Sequence, residues 1–324
     1  MSEELGVAAR RFEVVGGGAE EPAPHRGSPV PLIRSLLGSS LVMLRKNAGL
    51  TGEEVVRLGA IGSTTTLSRV ENGDPKARVT EAMVRGLAAC YGVAEDSADF
   101  WALMQRWERL SSATTAWWDP YGDVLQADFC DLLYMENLAS KITVCESTYV
   151  PGLLQTPRYM AAVMNLPFRG VPADRDRIQQ RRDVRRQRQR LLERDNPPEL
   201  TAFIDEAVTR RPYGGPQVLR EQLRHLFNLC ENQEAVHIRI LPLAAYEHAA
   251  PLSPSSTLLG FPPEQQMPEA LYAESPNVAG TWVYEEVQLD LHRAALLGVS
   301  KHALHKAETM AFLKARLAEL EDLS

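Results

Sequence analysis

The 324 residues carry 42 acidic and 35 basic side chains, for a net charge of −7, with 44% hydrophobic residues and an isoelectric point near 5.6. A chain this long exceeds one small module and points to two or more domains, and its acidic balance excludes a nonspecific polycation. Cys90, Cys130, Cys145 and Cys230 are scattered, form no CxxC or Cys/His set and accompany no secretory signal or long apolar run. They read as small core residues of a cytoplasmic protein with no structural zinc and no membrane span.

Residues 1–30 lack periodicity, hold Gly16-Gly17-Gly18 and several prolines, and read as a flexible tail. From residue 31 to 92 the pattern changes to short amphipathic helices joined by tight turns. Leu37, Leu41 and Leu44 recur at three- and four-residue spacing, and Asn47-Ala48-Gly49 ends that helix. Thr51 caps the next helix with Glu54 three residues on, a capping-box spacing. Gly59 to Gly62 turns the chain. Ser63 and Thr64 are caps for a third helix whose Leu67 and Val70 point inward, and Asn72-Gly73-Asp74-Pro75 stops it. Thr80 opens a fourth helix with Met83, Val84, Leu87 and Ala88 on one face. Residues 31–92 hold eight basic and five acidic side chains, a local charge of +3 in an otherwise acidic chain.

Gly49-Leu50-Thr51, followed by Leu67-Ser68-Arg69-Val70-Glu71-Asn72-Gly73, resembles the Cro/repressor (XRE-type) helix-turn-helix family. That resemblance implies a DNA reader whose third helix meets base edges in the major groove. Carried over by position, Ser63, Thr64, Thr65, Thr66, Ser68 and Arg69 are the reading candidates. Arg45, Lys46 and Arg57, near helix ends, are phosphate candidates. Two departures stand out: Gly52 occupies a place where the family often has Gln, and the turn before helix three is about two residues longer than usual. The competing reading of Thr64 to Thr66 is that they cap and start the helix.

Residues 93–142 read as a helical linker or dimerisation segment, with Phe100, Leu103, Met104, Trp107 and Leu110 striping a helix near 95–109. Residues 143–324 read as an α+β domain with a small, largely antiparallel sheet flanked by helices. Its strand candidates are 200–204, 236–241, 257–261 and 270–273, and helices fall near 216–230, 285–297 and 301–320. The fold expected for the whole chain is therefore mainly α, with an N-terminal all-α reader and an α+β C-terminal part.

Between Arg169 and Arg194 ten arginines meet four acids, a local +6. The helix 174–194 is either a second DNA surface or a solvated helix paired with the acidic remainder, and the second is the commoner use of such runs. Trp117, Trp118, Tyr121, Tyr149 and Tyr159 flank a Pro-Gly turn and either line a ligand cavity or fill a core. Arg210-Arg211 with Tyr213-Gly214-Gly215 is either a small-anion site or a turn. Asp205-Glu206, His225, His237, His302 and His305 form no recognisable catalytic or metal set, and there is no nucleophile elbow, phosphate loop or HExxH. No enzymatic activity, cofactor or metal is expected.

A second resemblance covers most of the chain. VPGLLQTPRYM at 150–160, RQRQRLLERDNPPELTAFIDEAVTRRPYGG at 186–215 and RILPL at 239–243 are similar to actinobacterial WhiJ-like regulators of Streptomyces development and antibiotic production. It implies a regulator; because one short module supplies limited affinity, a homodimer on a pseudo-palindromic duplex is expected, its C-terminal domain receiving a signal from either a small molecule or a small protein. Such genes often neighbour one for a small partner protein. The alternative is therefore an antitoxin-like protein that binds that partner and uses DNA binding for autoregulation. The family supplies no catalytic residues to carry over.

Overall fold

The computed structural model describes residues 30–74, 76–111, 116–165, 175–247, 255–263, 267–274 and 280–322. The tail expected at 1–30 lies outside the described residues except for Val30, as do the expected helix-stopping Pro75 and the start of the Arg-rich run at Arg169 and Asp174.

Five helices make the N-terminal unit: α1 (Val30–Asn47), α2 (Gly52–Arg57), α3 (Thr64–Glu71), α4 (Glu81–Cys90) and α5 (Ala98–Ser111). Leu37, Leu41 and Leu44 of α1, Val55, Leu67, Val70, Val84 and Leu87 close one core. The caps expected from sequence are formed. Thr51 and Glu54 bond reciprocally across the start of α2, Ser63 Oγ accepts from the Thr66 amide at 3.1 Å, and Thr80 caps α4. Gly73, at φ 67°, ends α3 in a left-handed turn. The Gly73 amide bonds Val70 O at 3.1 Å and the Asp74 amide bonds Arg69 O at 2.9 Å, the paired reverse bonds of a Schellman cap.

Phe100 and Leu103 of α5, in the segment read as linker or dimerisation, are buried in this same core, so α5 packs as the fifth helix of this unit. Helix α6 (Ala127–Leu138) goes the other way: Leu132 and Met135 sit in the core of the C-terminal body. The 93–142 segment divides between two cores because its two apolar stripes face different partners.

The C-terminal body is built on a six-stranded sheet in the order β3-β2-β1-β4-β5-β6. Its strands are β1 (Lys141–Glu146), β2 (Glu199–Asp205), β3 (Val236–Leu241), β4 (Ser256–Gly260), β5 (Ala270–Ala273) and β6 (Thr281–Val283). The α+β architecture with flanking helices is as read from the sequence, but the sheet is larger and mixed. β1, β2 and β3 are parallel, because α7 (Pro157–Met164) with α8 (Arg175–Gln189), and then α9 (Pro216–Asn232), carry the chain back between them. β4, β5 and β6 add antiparallel.

The sheet is covered on both faces. Ile142, Val144, Leu200, Ile204, Ile238 and Ile240 pack toward α9 and α11 (Lys306–Asp322). Cys145, Phe203 and Leu241, one residue out of phase, pack toward Val299 and Ala303 of α10 (Glu286–His302). Arg239 fastens that helix end, donating to the Ser300, Ala303 and Leu304 carbonyls. Among the described residues, no helix is long and apolar enough to cross a membrane, and no group of three metal-ligating side chains is found.

Candidate nucleic-acid interface

Two buried residues fix α3. Leu67 and Val70 anchor it on the core, and the opposite face carries Thr64, Thr65, Ser68, Arg69 and Asn72, all exposed. This spacing places the five on one side of a helix about 12 Å long, which fits a major groove about 12 Å wide.

The position of α3 is set by α1. Gly38 of α1 lies so close to the end of α3 that an added Cβ would stand 2.3 Å from Glu71 O. Beside this contact, Arg45 donates from Nε to Glu71 Oε1 at 2.7 Å and from Nη2 to Oε2 at 2.9 Å, with a third bond to Leu50 O at 3.0 Å. The bidentate bonds to Glu71 hold the Arg45 guanidinium charged, against the penalty of partial burial.

The sequence candidates therefore divide by role. Arg45 directs three hydrogen bonds to Glu71 and Leu50, which clamp α3 to α1. Ser63 and Thr66 bond each other, 2.9 Å between hydroxyls, and form the helix cap. Thr64, Thr65 and Ser68 face outward. Arg69 also faces outward and is held by Asp74 Oδ2 at 2.7 Å. That bond, with the Lys76 amide donating to the same carboxylate, keeps Asp74 ionised below its ordinary range. Lys46 and Arg57 are exposed near the ends of α1 and α2.

Three outward residues lie outside the sequence candidates for DNA contact: Asn72, Lys76 and Arg78. Their signal was present in the sequence, since Asn72 ends the recognition helix and the two cations lie in the run after it. Asn72 donates to Ser68 Oγ at 3.1 Å, which orients both on the outward face of α3.

Three arginines of α8 grip the C-terminal body. Arg188 is bidentate to Glu136 at 2.7 and 2.6 Å, Arg181 donates to Val124 O at 3.0 Å, and Arg177 donates to Asp123 O at 2.7 Å. Arg186 and Arg190 face solvent.

The aromatic set does not form one cavity. Trp118 is buried, Trp117 meets it edge-on at 5.3 Å, and Tyr121 joins their small core with Val184. Tyr159 is fully buried and accepts from the Val150 amide. Of the five, Tyr149 alone lines the cavity between α6, α8 and the sheet. The Arg210–Arg211 pair is also committed: Arg210 to Glu206 and Arg211 to the Ser147 and Thr148 carbonyls. Asp205 caps the Ala207 amide and accepts from Tyr246.

Two family models match the chain. A helix-turn-helix domain covers residues 36–101, which ends in the first turn of α5, and a domain of unknown function, DUF5753, covers residues 129–315. No curated protein and no solved structure matches it.

Proposed function

The chain belongs to the DUF5753 family and carries a helix-turn-helix domain ahead of that region, and from this premise we propose a sequence-specific transcription regulator. The observation that carries the proposal is the outward face of α3. Its polar, base-competent side chains are presented on a helix locked in place by Gly38 and the Arg45–Glu71 pair. Thr64, Thr65, Ser68 and Arg69 read bases; Lys46, Arg57, Lys76 and Arg78 meet phosphates. One such module supplies limited affinity, so the working form is a dimer with two α3 helices about 34 Å apart on a pseudo-palindromic duplex. The C-terminal body receives a small-molecule signal, and no catalytic step is assigned to it.

The deciding experiment is a salt titration of binding to the DNA upstream of its own gene, beside a scrambled duplex of equal length. Competition-resistant binding to the first duplex supports the reading. Equal, weak binding to both would count against a target there. A second reading, capture of a small partner protein, draws on the apolar residues Val287, Leu291 and Leu297 exposed on α10. A stable complex with the product of a neighbouring gene, lost in Leu291→Arg, would favour it.

A further inference from the structure

A crevice opens at the carboxyl end of β1, where open α/β sheets commonly place their ligands. It has an outer chamber of about 410 Å³ and an inner one of about 140 Å³. Phe129 of α6, Tyr149 after β1, and Arg185 of α8 line both chambers. Tyr272 of β5 and Ile178 of α8 extend the apolar wall of the outer one. That volume suits a molecule of one or two rings.

The polar groups around the crevice are unequal. Asp128 is spent, accepting from Tyr272 Oη at 2.7 Å and from the Gly280 amide at 2.6 Å. Arg188 is spent on Glu136. Glu146, at the floor of the inner chamber, accepts from Ser255 Oγ at 2.5 Å. Arg185 is different: among the described residues, its guanidinium has no hydrogen-bond or ion-pair partner. Burial and the neighbouring Arg188 and Arg181 weigh against its charge, offset in part by Glu274 at longer range. An unpartnered guanidinium beside a cavity gains most from an anion that enters it.

We propose that this crevice binds a small aromatic carboxylic acid, its carboxylate forked on Arg185 and its ring among Phe129, Tyr149 and Tyr272. The proposal rests on the reading of the C-terminal body as a signal receiver, and it gives that signal a chemical class. Arg185 specifies the charge; the aromatic walls specify a flat, apolar body.

The test is calorimetry on the full chain with benzoate, indole-3-carboxylate and 1-naphthoate, each beside its neutral primary amide. At least one acid is expected to bind, its amide at least tenfold more weakly. Arg185→Gln should abolish the difference, while Arg186→Gln, on the solvent side of α8, should leave it intact. Absence of binding by all three acids overturns the proposal, as does equal binding of acid and amide, or acid affinity unchanged in a folded Arg185→Gln. Should that variant fail to fold, the acid–amide comparison on the unaltered protein decides. An acid that binds through Arg185 but leaves operator affinity unchanged would overturn the receiver reading and leave the site standing.

Discussion

Arg45 and Glu71 join the end of α1 to the end of the recognition helix through two parallel hydrogen bonds of 2.7 and 2.9 Å. The pair lies 26 residues apart in sequence, with side chains 17% and 8% exposed, so it bridges two elements at a partly dry contact. A residue that the helix-turn-helix resemblance makes a phosphate candidate here joins α1 to α3.

Removing one partner leaves the other charged and poorly solvated. Arg45→Ala should destabilise the reader by about 2–3 kcal/mol, read by denaturant titration. It should also weaken operator binding while leaving the salt dependence of that binding unchanged. A fall in the salt slope of about 0.9, as a lost phosphate contact gives, would return Arg45 to the phosphate list.

The exposed cations make the opposite prediction. Arg57→Ala, Lys76→Ala and Arg78→Ala should each leave stability within about 0.5 kcal/mol of the parent, because these side chains sit at the surface. Each that touches a phosphate should lower the salt slope by about 0.9. Arg186→Ala on α8 and Arg190→Ala just after it should leave it unchanged. A drop with either would make the Arg-rich helix part of the DNA surface.

Two glycines in the same unit should respond with opposite signs. At Gly38 a Cβ would meet Glu71 O at 2.3 Å, so Gly38→Ala should force α1 and α3 apart, at a cost of about 1–3 kcal/mol. At Gly86, inside α4, the nearest atom to an added Cβ is Ala60 O at 3.9 Å. There Gly86→Ala should stabilise by about 0.5–1 kcal/mol through helix propensity alone. Thermal melts of the two variants check this directly, and destabilisation by both would refute the assignment of Gly38 to a specific contact.

Burial holds two carboxyl groups of the C-terminal body protonated near neutral pH. Glu146 is pushed up to about 8, by burial first and then by Glu274; Asp131 is pushed up to about 7, by burial and then by Asp128. The unfolded chain releases these protons at lower pH than the folded one does. Their contribution to stability is therefore fullest below about pH 4, and is lost as pH rises through the folded values, to about pH 8. Glu146→Gln mimics the protonated form, so its stability should fall less than the parent's between pH 5.5 and pH 8.5. Parallel urea titrations at the two pH values provide the measurement. Identical slopes would mean that Glu146 is ionised in the folded protein.

The sequence by itself determined the local chemistry of the reader. Capping residues, Gly stops and three- and four-residue apolar spacing act between neighbours a few positions apart. The helices, caps and buried faces around Leu67 and Val70 were therefore legible. So were four of the strands, because runs such as Val236–Leu241 fill a sheet layer with apolar and β-branched residues. β1 was not read as a strand, and its place beside both β2 and β4 depends on pairings made far along the chain. Tertiary structure alone decided what each polar side chain spends its donors on. Arg45 and Arg69 look alike as charges near helix ends, but one meets Glu71 from another helix and the other stays at the surface beside Asp74. Likewise Tyr149 and Tyr159 both flank the same turn, but Tyr159 fills a core and Tyr149 lines a cavity. Spacing along a chain fixes which face of a helix a residue occupies; only packing fixes what that face meets.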